Sequence, residues 1–343
     1  MVIITINPID NILYTSFYVL GFKEVFGIES VKFDVKPFAN LSMEAKQTRG
    51  VLFVINDGAK CMKGYISAND FNTINEEIYA WCDVYASVNA NFQKTPDRNK
   101  LISLAPSFAI RCWSLPMIVG HAIAEGFKYM KETASFKYLK KFIGNYKRLL
   151  DRPEYKQMMW GESEDGYVFF CSTLWYSDEW NRNDDGLNMR RARFIRTCKE
   201  IDSVRFEGGL VSQPGRSSDD LFADCVLKKP YSYNEWLDKT KRSSVVFNTP
   251  AFWDCHGWKL GEYLALGKAI ISTPLSNDLP TPLIHGENIH FVDDNVESIR
   301  SAVEMIVNDK SYREKLEHGA RQWWDKYGTP EKSVERVLAF LKN

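Results

Sequence analysis

The sequence lacks any surplus of charge: 44 lysines and arginines balance 44 aspartates and glutamates over 343 residues. A polyanion would meet no bulk attraction, so no nucleic-acid partner is expected. The seven cysteines are odd in number and form neither a C-x-x-C pair nor a metal-ligand spacing. They read as free, packing thiols of a reducing compartment, and Cys255 is the one among them inside a candidate site. No D-x-D acid pair stands beside a strand end, and no metal or separate cofactor is expected. Neither a membrane-length apolar run nor a basic leader at Met1–Ile6 is present, so a cytoplasmic location is expected. Internal repeats and low-complexity tracts are missing as well.

What the chain does have is alternation. Its length exceeds one ordinary core, so two domains are expected. Apolar, β-branched runs at 2–6, 31–35, 51–55, 83–88 and 101–104, with a helix from Ile12 to about Phe26, predict a doubly wound parallel sheet. Ligands of such sheets collect beyond the carboxyl ends of the strands, which singles out the loops Asn7–Asn11 and Asn56–Gly58. Neither carries G-x-G-x-x-G, so a dinucleotide is not expected. Asp57, at a strand end, is the candidate general base; the bland reading of the same residues is a carboxylate that begins a turn or caps a helix.

The polar stretch 151–166 reads as a linker between a first domain, 1–150, and a second, 167–326. The second opens with a strand at 167–172 and continues to a helix bearing Arg190, Arg191, Arg193 and Arg196. A strand at 204–210, a mobile loop over 211–229 and a helix at 231–241 follow. Beyond the centre come amphipathic helices at 296–307 and 311–326. A last helix, 327–343, has Pro330 at its first position.

The centre is Ser243–Pro274. Ser244–Thr249 reads as a buried strand, Leu260–Leu266 as a helix closed by Gly267, and Lys268–Ser272 as the next strand. A helix N-terminus facing a loop of small residues is a ready anion site, suited to a nucleoside diphosphate. Asp254 and Glu262 bracket that loop with seven residues between them. Carboxylates grip hydroxyl pairs rather than phosphates, so Glu262 is read as a ribose ligand and Asp254 as a ligand of the donor sugar. His256, inside the loop, reads either as a donor to phosphate or hydroxyl or as plain loop structure.

The stretch Asp254-Cys-His-Gly-Trp-Lys-Leu-Gly-Glu262, followed by YLALG and KAIIST, resembles the nucleotide-sugar loop of GT-B glycosyltransferases of the group 1 type. In those enzymes two glutamates at this spacing flank a glycine turn; here the first is an aspartate. Lys259 is similar to the basic residue of exostosin-like and some fucosyltransferase loops. The resemblance covers roughly the last hundred residues. It implies two Rossmann-like α/β domains, with the last helix crossing back onto the first. It implies a nucleotide-sugar donor, UDP- or GDP-linked, held by His256, Gly257, Trp258, Lys259, Leu260 and Glu262, with Arg191 and then Arg190 on the diphosphate and Asp57 and Asp254 in catalytic roles. The acceptor would be a glycan, a lipid-linked saccharide or a protein of surface-glycan assembly, facing the donor across a cleft. A sugar-nucleotide epimerase of double-Rossmann form and a non-catalytic sugar or nucleotide binder fit the same residues.

Two features stand outside that reading. His121 lies in an apolar helical stretch and reads as a packed imidazole or as a hydrogen-bond donor near the sugar. Between Phe127 and Leu149 lysines interleave with aromatics, the pattern of a solvated connecting helix or of one resting on an anionic membrane.

Overall fold

The computed structural model describes residues 2–175, 185–212 and 220–342. The chain divides into two compact units, Met1–Met158 with Asn277–Pro282 and Asp325–Asn343, and Met159–Ser276 with Leu283–Trp324. The first unit begins with β1 (Ile3–Ile6), α1 (Ile12–Phe26), β2 (Val31–Phe33), α2 (Met43–Lys46), β3 (Gly50–Asn56) and β4 (Cys61–Ser67). It continues through α3 (Glu76–Trp81), β5 (Val84–Ser87), β6 (Leu101–Ser103), α4 (Leu115–Thr133) and α5 (Phe136–Leu150). The second holds β7 (Tyr167–Thr173), α6 (Asp185–Lys199), β8 (Arg205–Val211), α7 (Tyr233–Arg242), β9 (Val246–Asn248) and α8 (Trp258–Ala265). After β10 (Ile270–Ser272), β11 (His290–Phe291), α9 (Val296–Asn308) and α10 (Lys310–Tyr327), the chain ends in α11 (Pro330–Lys342). The class is α/β, as the alternation predicts.

The first sheet has six strands in the order β2-β1-β3-β4-β5-β6. All run parallel except β3, which is antiparallel to both β1 and β4. The parallel sheet read from the sequence therefore needs one correction, and its cause is local. Asn56 Oδ1 accepts from the Gly58 amide, Asp57 Oδ1 accepts from the amides of Ala59 and Lys60, and Gly58 sits at φ +92°. Those bonds close a hairpin and send the chain straight back as β4, a strand absent from the sequence reading.

The last helix belongs to this unit. α11 crosses α1 at Gly21, where a Cβ would stand 2.2 Å from the Pro330 carbonyl oxygen. Only glycine permits that approach. Arg336 on α11 donates to the Ser103 carbonyl at the end of β6, at 2.8 Å. The segment 277–282 is tied in by Asp278, whose amide donates to the Ala90 carbonyl and whose carboxylate accepts from the Phe92 amide.

In the second unit β7 pairs β8, and β9, β10 and β11 pair in turn, all parallel. A parallel bridge between Val168 and Val245 joins the two sets into the order β8-β7-β9-β10-β11. The chain adds strands outward from β7 on one side, crosses over, and builds the other side, so the winding reverses between β7 and β9. Phe170, Phe194 and Phe247 fill the core beneath that point, the last two stacked at 4.3 Å. Gly208 on β8, at φ +120°, leaves no space for a Cβ, which would lie 1.9 Å from the Phe170 carbonyl oxygen. Of the expected loop over 211–229, residues 213–219 lie outside the described residues and Asp220–Cys225 forms a short 3-10 helix.

Candidate nucleotide-sugar site

In an open parallel sheet the strands on either side of a winding reversal send their loops apart, leaving a crevice beyond their carboxyl ends. In the second unit that crevice lies past Thr173 of β7 and Asn248 of β9. Five of its side chains come from elements that converge there. Arg191, on α6, is buried and donates through Nη1 to the Thr173 carbonyl at 2.7 Å. Lys259 is the second residue of α8, and its ammonium stands 5.8 Å above the Trp236 ring. Burial pushes the Lys259 ammonium below its ordinary pKa, Cys171 and Glu262 pull it back up, and Arg191 adds to the depression. The two cations thus feel each other, in a place where an anion would relieve both.

Glu262 lies a turn into α8, only 5% exposed, and its carboxylate accepts from the Tyr233 hydroxyl at 2.7 Å. Tyr233 is presented by the first turn of α7, which a capping box between Ser232 and Glu235 fixes in place. Trp236, one turn on, stacks against Tyr263 of α8. The sequence reading passed over Tyr233 and Trp236, although the Ser-x-x-Glu start with aromatics three residues apart marks a helix presenting both on one face.

The loop entering α8 is held by the Ala251 amide donating to the Cys255 carbonyl at 2.8 Å, with Phe252 stacked on Trp175. Trp253 and Asp254 are both in the left-handed region, at φ 61° and 58°. Successive non-glycine residues there hold strain of about 1–3 kcal/mol each, the kind of cost that collects at binding loops. Asp254 is exposed, whereas Cys255 and His256 are buried. Gly257 caps α8, so the amides of Trp258 and Lys259 open towards the loop, while Leu260 donates to the Gly257 carbonyl and packs in the core. The amides at a helix start carry partial positive charge.

Two candidates fall elsewhere. Arg190 points away to Asp294, just before α9, which accepts from its Nε at 3.0 Å and also pairs with Arg193. Asp57, in the first unit, sits in the β3–β4 turn. Because β3 runs against its neighbours, its end lies beside Ile3, where β1 begins, and beside Cys61, where β4 begins. That is the edge opposite the carboxyl ends of the parallel strands, and the Asp57 carboxylate is engaged in closing the turn. His121 is a packed imidazole, stacked at 4.2 Å on Trp113. All seven cysteines are free thiols. Among the described residues no cluster of His, Cys, Asp or Glu is arranged to hold a metal, and no helix is long and apolar enough to cross a membrane.

No protein-family model matches the chain, and no curated protein does. Among solved structures it is similar to a glycosyltransferase from Rickettsia africae, at 11% identity and a TM-score of 0.40, over 79% of this chain and 69% of that one. It is similar to HepE of Anabaena, solved with UDP-glucose, at 9% identity and a TM-score of 0.43, over 76% of this chain and 64% of that one. It is also similar to a UDP-GlcNAc 2-epimerase from Neisseria meningitidis bound to UDP-GlcNAc, at 13% identity and a TM-score of 0.42, over 78% and 64%. Likeness at this level says nothing of activity or substrate.

Proposed function

We propose that the second unit binds a nucleoside-diphosphate sugar, UDP- or GDP-linked, and that the protein transfers the sugar to a saccharide, lipid-linked or protein hydroxyl. The observation that carries this reading is the convergence of Arg191, Lys259, the α8 amides and the Tyr233–Glu262 pair beyond the winding reversal of one parallel sheet. Cations and amides suit a diphosphate, and a buried carboxylate held by a phenol suits a ribose diol. In the transfer, the bond from the anomeric carbon to the diphosphate oxygen breaks and a bond to the acceptor oxygen forms. The acceptor gives up its proton, and negative charge grows on the departing diphosphate. Fixed positive groups aimed at that charge lower the barrier more than they aid ground-state binding.

The test is incubation with UDP-, GDP- and CMP-sugars, with and without a mixture of saccharide acceptors, following nucleotide release and the sugar product. Acceptor-dependent release supports transfer. Conversion of the donor to its epimer without acceptor would mark an epimerase, and saturable binding with no turnover a binding protein. Failure of every nucleotide to bind or to raise the melting temperature would remove the site itself, since a ligand at a hundred times its Kd stabilises the fold by about 2.7 kcal/mol.

A further inference from the structure

α4 is inside out. Leu115, Val119, Ile123 and Phe127 recur every four residues along one face and are 59, 49, 57 and 73% exposed. Between them the same face shows only Pro116, Gly120 and Ala124, and its first charge is Lys128, whose ammonium turns back to donate to the Phe33 carbonyl. Of its two acids, Glu125 is buried, 3.1 Å from Lys128, and Glu132, in the last turn, pairs with Lys46. Four large apolar side chains turned outward in register form a stripe about 18 Å long, since a helix rises about 1.5 Å per residue.

The stripe continues onto α5. A Cβ placed at Gly126 would touch Ile143 Cδ1 at 3.4 Å, so the two helices meet beside the apolar face. On α5, Phe136 and Ile143 are exposed as well. That helix holds Lys137, Lys140, Lys141, Lys147 and Arg148, all exposed, and no acidic residue. An apolar stripe bordered by unbalanced cations matches one partner chemistry: an apolar interior under a layer of negative headgroups. A second copy of the chain would bring two such cationic borders together, which like-charge repulsion opposes.

We propose that the α4–α5 hairpin docks the first unit onto an anionic lipid bilayer, with Leu115, Val119, Ile123 and Phe127 inserted and the α5 cations on the headgroups. The helix lies in the interface plane and does not span it. The proposal is independent of the reaction assigned to the second unit.

The experiment is sedimentation of the full chain with phosphatidylcholine vesicles, with and without phosphatidylglycerol. Expected are retention by the phosphatidylglycerol vesicles, weakened by high salt, and little retention by phosphatidylcholine alone. The double variant Ile123→Asp with Phe127→Asp is expected to lose retention at least about ten-fold while keeping the wild-type melting temperature, because both side chains are exposed. The pair Lys140→Glu with Lys147→Glu should erase the preference for the anionic lipid. Phe127→Trp should show a blue-shifted emission on vesicle addition. The proposal fails if the wild-type chain does not bind phosphatidylglycerol vesicles, or if the Asp variant binds as well as wild type. It fails equally if light scattering shows a dimer that the Asp variant dissolves, since the face would then serve self-association.

Discussion

The Tyr233 hydroxyl donates to the Glu262 carboxylate at 2.7 Å, joining the first turn of α7 to the second turn of α8. The bond orients a carboxylate that burial alone would disfavour. Glu262→Gln keeps the shape and removes the charge. It is expected to weaken both nucleotide and nucleoside binding about ten-fold, or about 1.4 kcal/mol. Tyr233→Phe should cost about 1 kcal/mol of stability and a smaller part of the affinity. Isothermal titration with UDP, GDP and their nucleosides, beside denaturant melts, measures both.

On the proposed reading, Arg191 and Lys259 meet the diphosphate and Glu262 the ribose. Arg191→Ala is expected to weaken nucleoside-diphosphate binding by about 2 kcal/mol and to leave nucleoside binding nearly unchanged. Equal losses for both ligands would mean that Arg191 acts by supporting Thr173 rather than by meeting phosphate.

Gly208→Ala tests the β7–β8 pairing. The added carbon would meet a backbone oxygen at 1.9 Å, on a residue at φ +120°. Backbone cannot yield as a flexible side chain does, so destabilisation of about 3 kcal/mol or more is expected in urea unfolding.

Two titrating groups oppose each other on the acid limb. Burial pushes the His290 imidazole down to about 4, with His285 adding to the effect. Between pH 6.5 and 4 the unfolded chain takes a proton there that the folded chain refuses, so this group removes stability as pH falls. Burial raises the Asp10 carboxyl to about 6, against the amides of Gly50, Asn11 and Arg49. Here the folded chain keeps a proton that the unfolded chain gives up, so this group adds stability as pH falls over the same window. His290→Asn should flatten the acid decline and Asp10→Asn should steepen it, read from melting temperatures at stepped pH.

Asp57→Asn should leave turnover within about two-fold of wild type, because its carboxylate closes a turn at the far edge of the sheet. A loss on the order of 100-fold, the scale of a missing general base, would reinstate it.

The second unit was legible because its pattern is regular. Buried strands at 167–173 and 246–248, an acid pair around a glycine and helices at 3.6 spacing each follow from local periodicity. The first unit was legible except at β3 and β4, at the short α2, and at residues 277–282, which the sequence reading placed in the second domain. At the β3–β4 turn, Asn56-Asp57-Gly58 follows a β-branched run and precedes Cys61–Ser67, which has one β-branched residue, so the same turn fits a hairpin or a ligand loop at a strand end; the direction of β3 separates the two meanings. Arg190 and Arg191 are adjacent on one helix, so spacing could not tell them apart. Only Asp294, more than a hundred residues later, assigns Arg190 to a surface pair. Exposure of the α4 face is likewise invisible in sequence, where Leu115, Val119, Ile123 and Phe127 read as an ordinary core stripe.

Because the Gly21 crossing is made by a helix 309 positions downstream in the chain, at Pro330, the amino-terminal body cannot finish assembling while it emerges from the ribosome. Its α1 surface must wait, uncovered, through synthesis of the entire second unit, whose own strands are complete well before. Folding order should therefore invert the order of translation, with the later-made body maturing first.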